Sequence, residues 1–475
     1  MEKVSAQKQI EVLVRDRRTS LATKAIYAYL KHSHHSLGAK IEACDWFRRL
    51  GKYWDAYRVI APDEYKVRSA KLDRSLSRQY LWTARMLNLL GASAYALELA
   101  ELIRDLHLPE DCAILANIYL SNFDSENALR YFLKMEELQQ KTESYPSKFS
   151  RIGTADALMG VGKTNEALKR LRSIPVNEEE VRLKGIVLQA EGEYLARSGK
   201  YAAALPILEK ALPFFPSEDR TVDYAFLIKW IATAHAGLGK KTEALRLFNE
   251  AIGILKKPKH RPESWLDCFF WMNQFELLSP ARKKILFSFP GLNEFFLKRL
   301  DRASAFELGS QKTEFWICDA TQEWKQGSDF HSQIPKEIHF LSLLARAGEE
   351  GVSIFRILPL LWPNDFSIHL HTHRLNQLKR QLLMKFRIKV ETLDQVLRLS
   401  EADLKRVSVM VWDEHAKPSV FGTDNEVSLT RVQEYYRIKR TQTYHLLKDW
   451  EKRRLINLEK SGREVKIKFN SKQLG

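Results

Sequence analysis

The sequence has few cysteines and no residue combination that marks an enzyme. Its 475 residues include four cysteines, which form no CxxC pair and lie far apart, at Cys44, Cys112, Cys268 and Cys318. This usage argues against a zinc site and against a disulfide framework, and it indicates a reducing compartment. The chain also lacks a nucleophile with a neighbouring base, a paired-carboxylate site and a complete phosphate-binding loop. We therefore expect no catalytic residues, no metal, no cofactor and no enzymatic activity.

Long apolar runs are absent as well. The N-terminus lacks an apolar core of signal-peptide length, and no run approaches the roughly 20 residues that span a membrane. These absences predict a cytoplasmic protein without a membrane partner. What the chain has is positive charge, because 76 Lys and Arg against 59 Asp and Glu give a formal net charge of +17. The excess is spread along the chain, so it favours an anionic partner without locating a binding face.

An internal repeat occupies the first 260 residues. Each copy has a glycine followed five residues later by an alanine, and in one copy phenylalanine replaces the glycine. The pairs are Gly51/Ala56, Gly91/Ala96, Phe123/Ala128, Gly162/Ala167, Gly199/Ala204 and Gly239/Ala244. The glycine permits a tight turn between two antiparallel helices, and the alanine lets the second helix pack closely on the first. Because Gly162 belongs to such a turn, we reject nucleotide binding by the phosphate-loop-like residues 160–164.

The best copy of the repeat resembles the tetratricopeptide family. Its matching residues are Gly192, Gly199, Tyr201, Ala204, Leu208, Ala211 and Pro216. The resemblance implies a solenoid of helical hairpins over residues 39–261, whose concave face binds a protein or peptide partner. The alternative is a scaffold that only positions the rest of the chain, and the sequence does not say which residues line the groove. The ends of a repeat stack must be covered, so we expect a helical cap or one further helical hairpin over residues 1–38 and a helical cap or connector over 262–304.

A basic segment without acids lies between Phe366 and Lys389. It contains six Lys or Arg and no Asp or Glu. Apolar residues and one histidine recur every three or four positions, which places them on one face of a helix. They are Ile368, His371, Leu375, Leu378 and Leu382. The opposite face is rich in Arg, Asn, Gln and Thr, the side chains that contact bases in the major groove. For a helix in isolation, the alternative is an ordinary amphipathic segment with a solvated basic face.

The elements around this helix resemble a winged helix. Short strands, two helices, the basic helix and a hairpin follow one another over residues 305–400, with landmarks at Pro335–Glu337, Leu361–Pro363 and Arg374–Arg380. The family resembled is the DNA-binding domain of two-component response regulators and antibiotic-regulatory activators. The resemblance implies base contacts by Thr372, His373, Asn376, Gln377 and Arg380. It implies phosphate contacts by Arg374, Lys379, Lys385 and Arg387. The expected wing tip, residues 392–395, carries Asp394 and no base, which weakens a minor-groove contact.

A linker segment over residues 401–425, with an expected strand at 407–412 followed by a polar stretch, and a second winged helix over 426–475 complete the prediction. The second domain resembles that of many bacterial repressors. On that resemblance the base-facing residues are Arg440, Thr441, Gln442, Tyr444 and His445. The phosphate contacts are Lys439, Lys448, Lys460 and Arg463. Winged helices also serve as protein-docking modules, so this domain is expected to bind either DNA or protein.

The predicted fold is therefore mainly α, with a tetratricopeptide-like α-solenoid followed by two α+β winged-helix domains. The function that follows is a bacterial-type, DNA-binding transcription regulator. Its array senses or docks a protein or peptide partner, and its two winged helices contact double-stranded DNA, with a homodimer as an open alternative to a monomer. The other candidate function is a protein–protein adaptor in which the repeats and the winged helices all bind proteins.

Overall fold

The computed structural model describes most of the chain. The described residues are 2–61, 74–103, 108–141, 148–177, 180–215, 221–256, 261–300, 306–308, 313–318, 323–327, 329–331, 333–362, 368–411, 426–436, 443–444, 447–448, 451, 456–461 and 464–469. They divide into two compact units. The first unit holds the described residues of 1–283 and 291–296, and the second holds those of 284–290, 297–363 and 368–475.

Paired antiparallel helices build the first unit. These helices are α1 (Glu2–Arg15), α2 (Thr19–His32), α3 (Leu37–Arg49), α4 (Tyr53–Ile60), α5 (Arg74–Leu89), α6 (Ser93–Glu101), α7 (Pro109–Ser121), α8 (Ser125–Lys141), α9 (Lys148–Gly160), α10 (Thr164–Arg172), α11 (Val181–Arg197), α12 (Tyr201–Ala211), α13 (Val222–Gly237), α14 (Lys241–Leu255) and α15 (Pro262–Gln274). A 3₁₀ turn, Leu212–Phe214, follows α12, while α16 (Pro280–Ser288) and α17 (Glu294–Arg299) follow α15. From α1 to α14, each odd-numbered helix pairs with the next one as a hairpin.

The turns inside the hairpins have the backbone that the Gly/Ala repeat predicts. At the turn glycines φ is positive, from +72° at Gly51 to +92° at Gly91. Phe123, at the same position of the glycine-less copy, has a φ of +67°, in the left-handed region that L side chains rarely adopt. All six predicted alanines are 0% exposed, because the two helices of each hairpin approach closely there. The prediction of a helical-repeat array is confirmed.

The N-terminal hairpin belongs to the same series. Arg17, between α1 and α2, has a φ of +52°, and Ala22, five residues later, is 0% exposed. The hairpin thus repeats the geometry of the later copies. The sequence separates residues 1–38 from the repeat because arginine stands where most other copies have glycine.

Helix α15 packs against the turns of the third and fourth hairpins. The Arg261 guanidinium donates to the Ser121 carbonyl at 2.7 Å, across 140 positions of sequence. The Ser93 hydroxyl donates to the buried carboxylate of Glu263, also at 2.7 Å and across 170 positions. These bonds join the end of the array to its middle, so the expected connector at 262–304 begins inside the first unit.

Short strands and helices build the second unit. The strands are β1 (Phe306–Leu308), β2 (Phe315–Cys318), β3 (Glu323–Gln326), β4 (Asp329–His331), β5 (Val352–Ser353), β6 (Val390–Leu393), β7 (Val396–Leu399), β8 (Val407–Val411), β9 (Glu426–Ser428), β10 (Ile456–Ser461) and β11 (Glu464–Phe469). The helices are α18 (Lys336–Ala347), α19 (Ile354–Leu361), α20 (Ile368–Phe386), α21 (Glu401–Leu404) and α22 (Leu429–Tyr436). Among the described residues, the strands form three sheets in the orders β1-β8-β2-β3-β4, β5-β7-β6 and β10-β11-β9.

The five-stranded sheet includes a strand from the expected linker. β8 lies between β1 and β2, antiparallel to β1 and parallel to β2. Its Val407 and Val409 are 3% and 0% exposed, because alternate side chains of the strand point into the core. The strand expected at 407–412 is therefore present as β8, and Glu401–Leu404 before it form α21. The remainder of that linker, 412–425, lies outside the described residues.

Helices α18 to α20 pack around the second sheet. In chain order the elements are α18, β5, α19, α20 and the β6–β7 hairpin, and β5 pairs with β7. Their core contains Leu344, Ile357 and Leu397, each 0% exposed. Helix α22 packs on β9 and β11 of the last sheet, and Val432 of that helix and Leu447 are each 0% exposed.

Candidate functional sites

The apolar face of α20 is buried in the second unit. His371, Leu375, Leu378 and Leu382 are between 0% and 6% exposed, as their spacing predicts. The His371 ring lies against Trp362, with ring centres 4.7 Å apart. This anchoring fixes the rotation of α20 about its axis, so it also fixes which side chains face outward.

The outward face of α20 presents every side chain of the first predicted base-facing set. These side chains are all exposed: Thr372, His373, Asn376, Gln377 and Arg380. His373 and Gln377 lie one turn apart, with their side-chain nitrogens at 3.4 Å. The structure therefore brings these five predicted residues together on one acid-free helix face.

Most of the cations predicted to contact phosphate form contacts within the protein. The Lys379 ammonium donates to the Thr392 hydroxyl of β6 at 2.8 Å. The Lys385 ammonium pairs with Glu337 of α18 at 2.6 Å. Arg374 is half-buried and lies 3.0 Å from His371 Nε2, whereas Arg387 is exposed. Two of these four cations, Lys379 and Lys385, thus join α20 to neighbouring elements.

Arg406 holds the C-terminal end of α20. Its guanidinium donates to the carbonyls of Phe386 at 2.8 Å and Arg387 at 3.1 Å, which a helix end leaves without helical partners. It also pairs with Glu314 at 2.8 Å and Asp403 at 3.0 Å. The hydrogen bond that Arg406 donates to Glu314 is the main cause that raises the pKa of Arg406. One side chain from the expected linker therefore joins α20 to the five-stranded sheet.

The expected wing is a tight hairpin. Its turn residues, Asp394 and Gln395, have φ of +48° and +68°, the pattern of a two-residue turn with the twist that strands require. Leu393 beside the turn is 57% exposed, and Arg398 pairs across the strands with Glu391 at 3.0 Å. The tip offers an apolar side chain and an acid, as its sequence predicts.

The second predicted DNA-contact set is described in small part. Tyr444 is half-buried, and Lys448 is exposed. Lys460 lies on β10, but its side chain lies outside the described residues. Outside them too are Lys439, Arg440, Thr441, Gln442, His445 and Arg463.

The helical array contains a groove that the sequence did not identify. Its volume is about 760 Å³, and α1, α3, α5 and α7 line it together with parts of α8 and α9. Its acidic lining residues are Glu11, Glu42, Asp45 and Glu110. Trp82 and Arg85 of α5 also line it, and the Arg85 guanidinium carbon lies 5.0 Å from the Trp82 ring centre. The signal in the sequence was weak, because these residues are spread over four hairpins.

Electrostatics distinguish Arg85 from the other groove residues. The pKa of Arg85 is lowered to about 10, first because protein surrounds the guanidinium and second because Arg48 is close. Such a group is still positively charged at neutral pH. A charge that has lost hydration gains more from a nearby counter-ion than an exposed charge does.

Neither a metal-binding cluster nor a membrane-spanning helix occurs in the described part of the chain. No cluster of three His, Cys, Asp or Glu side chains there is placed to hold a metal ion. No helix among these residues has both the length and the hydrophobicity to cross a bilayer. The four cysteines are buried free thiols, and burial raises the pKa of Cys44, Cys112 and Cys268.

These features define the class of the first unit, which is an α-helical repeat array of antiparallel hairpins. No family model and no curated protein matches the sequence. Among solved structures, a Rap protein complexed with competence and sporulation factor is 14% identical, with a TM-score of 0.39, over 60% of this chain and 90% of that one. A tetratricopeptide repeat protein from Parabacteroides merdae is 16% identical, with a TM-score of 0.38, over 57% and 98%. The apo form of RapI is 12% identical, with a TM-score of 0.32, over 60% and 84%. The hairpin geometry itself carries the assignment.

Proposed function

We propose that the chain is a DNA-binding transcription regulator. Helix α20, as the recognition helix of a winged helix, enters the major groove of double-stranded DNA, and the helical array binds a protein or peptide that controls this activity. The observation that carries the proposal is the outward face of α20, where five exposed polar or basic side chains lie on a helix without acids. The elements from α18 to the β6–β7 hairpin support it, because they occur in the order of a winged helix.

The dimensions and chemistry of α20 suit this role. Its 19 residues extend over about 28 Å, and the major groove, about 12 Å wide, admits a helix. Arg380 has the fork that pairs with guanine, while Asn376 and Gln377 have the amides that pair with adenine. Because His371 and Leu382 are buried, the helix is held in one rotation, which sequence-specific contacts require.

The second winged helix, over residues 426–475, is proposed as an additional DNA contact. β9, α22 and the β10–β11 hairpin flank the segment predicted to read bases. Exposed Lys448 is a phosphate contact in this proposal. Two modules on one duplex would add their binding free energies, which compensates for the cations that are engaged within the protein.

Selection from random duplex DNA with the full chain tests the proposal. We expect one enriched motif. Replacing Arg380 by Ala should then weaken binding to that motif by ~1–3 kcal/mol and relax its specificity, whereas Lys379→Ala should reduce the salt slope by about one. The matched control is Arg398→Ala, since Arg398 is an exposed arginine of the same unit that pairs with Glu391. Absence of an enriched motif, or unchanged affinity in Arg380→Ala, would refute DNA recognition by α20.

A protein-docking role is the second candidate function. Leu383 and Met384, near the end of α20, are 49% and 73% exposed, and Leu393 of the wing is 57% exposed. Exposed apolar side chains suit a protein partner, although on DNA they can also contact thymine methyl groups. Met384→Glu should weaken DNA binding if α20 contacts DNA. If no DNA motif is enriched, these side chains would favour the adaptor.

A further inference from the structure

Arg85 lies in the groove of the first unit, and its positive charge is the feature of interest there. Arg85 contributes to no ion pair formed by the described residues. Asp45, the carboxylate that raises its pKa, is held instead by Arg48 at 2.7 Å. The negative charge of Asp45 is therefore shared between two arginines, and it neutralises the charge of Arg85 only in part.

The carboxylates that line the groove already have partners. Glu11 accepts from the Trp46 indole at 2.7 Å and pairs with Arg49 at 2.8 Å. Glu42 accepts hydrogen bonds from Tyr29 and Gln7. Glu110 lies 3.7 Å from Arg78, but its side chain is 82% exposed. Among the described lining residues, Arg85 is the only Lys or Arg, so the groove has one cationic point in acidic surroundings.

Trp82 provides a second, independent sign of a missing acceptor. The residue is 7% exposed and lines the groove beside Arg85. Its indole nitrogen is buried and has no hydrogen-bond partner among the described residues. A buried donor without an acceptor is destabilising, and such groups are rare in folded proteins. Beside Arg85, Trp82 thus has a donor that no described residue satisfies.

We propose that the groove binds a short peptide and pairs the C-terminal carboxylate of that peptide with Arg85. The proposal rests on the proposed role of the array as a receptor for a peptide partner. A carboxylate matches the fork of a guanidinium with two parallel hydrogen bonds. The guanidinium lies 5.0 Å from the centre of the Trp82 ring. The cation–π attraction between the two holds the arginine side chain in position.

Size and charge select a free peptide end over other anions. A volume of about 760 Å³ lies in the range of ligand pockets, about 300–1,000 Å³, so it accepts a few residues. When a peptide of only a few residues binds in the groove, its C-terminal carboxylate lies in the groove too and needs a cationic partner there. Its α-amino group and any basic side chains fit near Glu11, Glu42 and Glu110, which would repel a ligand with several negative charges.

The probe is a library of random pentapeptides with free C-termini. The matched control is the same library with C-terminal amides. Each is incubated with the full-length protein, and retained peptides are identified by mass spectrometry. Free-acid peptides should be retained in preference to amides by about ten- to a hundredfold. Arg85→Gln should abolish that preference. Arg130→Gln should keep it, because Arg130 is an exposed arginine that also lies over an aromatic ring, at 5.7 Å from Tyr131, outside the groove.

Three outcomes would overturn the proposal: no retained peptide, equal retention of acids and amides, or an Arg85→Gln protein that behaves like the wild type. Circular dichroism verifies that Arg85→Gln is folded, and Arg85→Lys, which keeps the charge without the fork, should retain part of the preference. If acids and amides are retained equally and retention requires an internal Asp or Glu of the peptide, Arg85 binds that side chain and not the C-terminal carboxylate. The DNA selection involves no peptide, so failure of one proposal is distinguishable from failure of the other.

Discussion

The carboxyl group of Asp156 should make the array less stable as pH rises. Asp156 lies on α9 and accepts a hydrogen bond from the Tyr194 hydroxyl of α11 at 2.5 Å. Burial raises the pKa of this carboxyl to about 7, with a further contribution from Glu193, while the Tyr194 hydrogen bond and Arg197 act in the opposite direction. The folded protein therefore favours the protonated acid.

The magnitude follows from linkage between protonation and folding. An aspartate in the unfolded chain titrates near pH ~3.9, so between about pH 4 and 7 the folded state holds a proton that the unfolded chain has lost. Because the folded-state pKa is the raised one, the contribution is full below about pH 4 and is lost as pH rises through 7. With these two pKa values, the loss between about pH 5 and 8 is about 2–3 kcal/mol.

Urea unfolding of the full chain, followed by helical circular dichroism at about pH 5 and 8, tests this value. Asp156→Asn cannot ionise, and its amide oxygen can still accept from Tyr194. The wild type should lose about 2–3 kcal/mol more than Asp156→Asn between the two pH values. Asp223→Asn, which removes an exposed acid that pairs with Arg182, should follow the wild type. Identical pH dependence in the wild type and Asp156→Asn would refute the argument.

Three further substitutions test packing, capping and charge. Gly192→Ala should lower stability by ~1–3 kcal/mol in thermal unfolding, because a Cβ there would lie 2.4 Å from Leu208; Gly253→Ala, with open space at its Cβ, should not. Arg406→Ala removes donors to two carbonyls at the end of α20, so hydrogen exchange there should accelerate and stability should fall by about 2–3 kcal/mol. Arg85→Met should leave the unfolding free energy unchanged or higher, since it removes a desolvated charge without breaking an ion pair; a loss above ~2 kcal/mol would contradict this.

Local patterns were sufficient to predict the hairpins. A turn with positive φ favours glycine, and a close helix crossing favours alanine, so a spacing of five residues encodes both in a short segment. The same reasoning predicted the buried face of α20 through His371 and Leu382. Arg17 and Phe123 show its limit, since the turn keeps its backbone when the glycine is absent.

The groove and the place of β8 in the five-stranded sheet could not be predicted, because they depend on partners that are remote in sequence. β8 pairs in parallel with β2, and Arg406 reaches Glu314 across 92 positions. The lack of an ion pair at Arg85 among the described residues likewise depends on a neighbour, because Arg48 pairs with the Asp45 carboxylate. Spacing within one segment carries no information about such competition between partners.

The contacts of α20 bear on how the proposed regulator would bind DNA. Lys379 and Lys385 are engaged with Thr392 and Glu337, so using either on phosphate requires breaking a contact that holds α20 in place. Phosphate contacts supply most of the salt-dependent affinity, whereas the exposed base-facing set supplies specificity. One α20 should therefore recognise a motif with modest affinity and a shallow salt slope. Tight binding then requires a second DNA-binding module, either residues 426–475 or a second protomer. A peptide on the array that changes the arrangement of the two modules would regulate DNA binding without contacting either module.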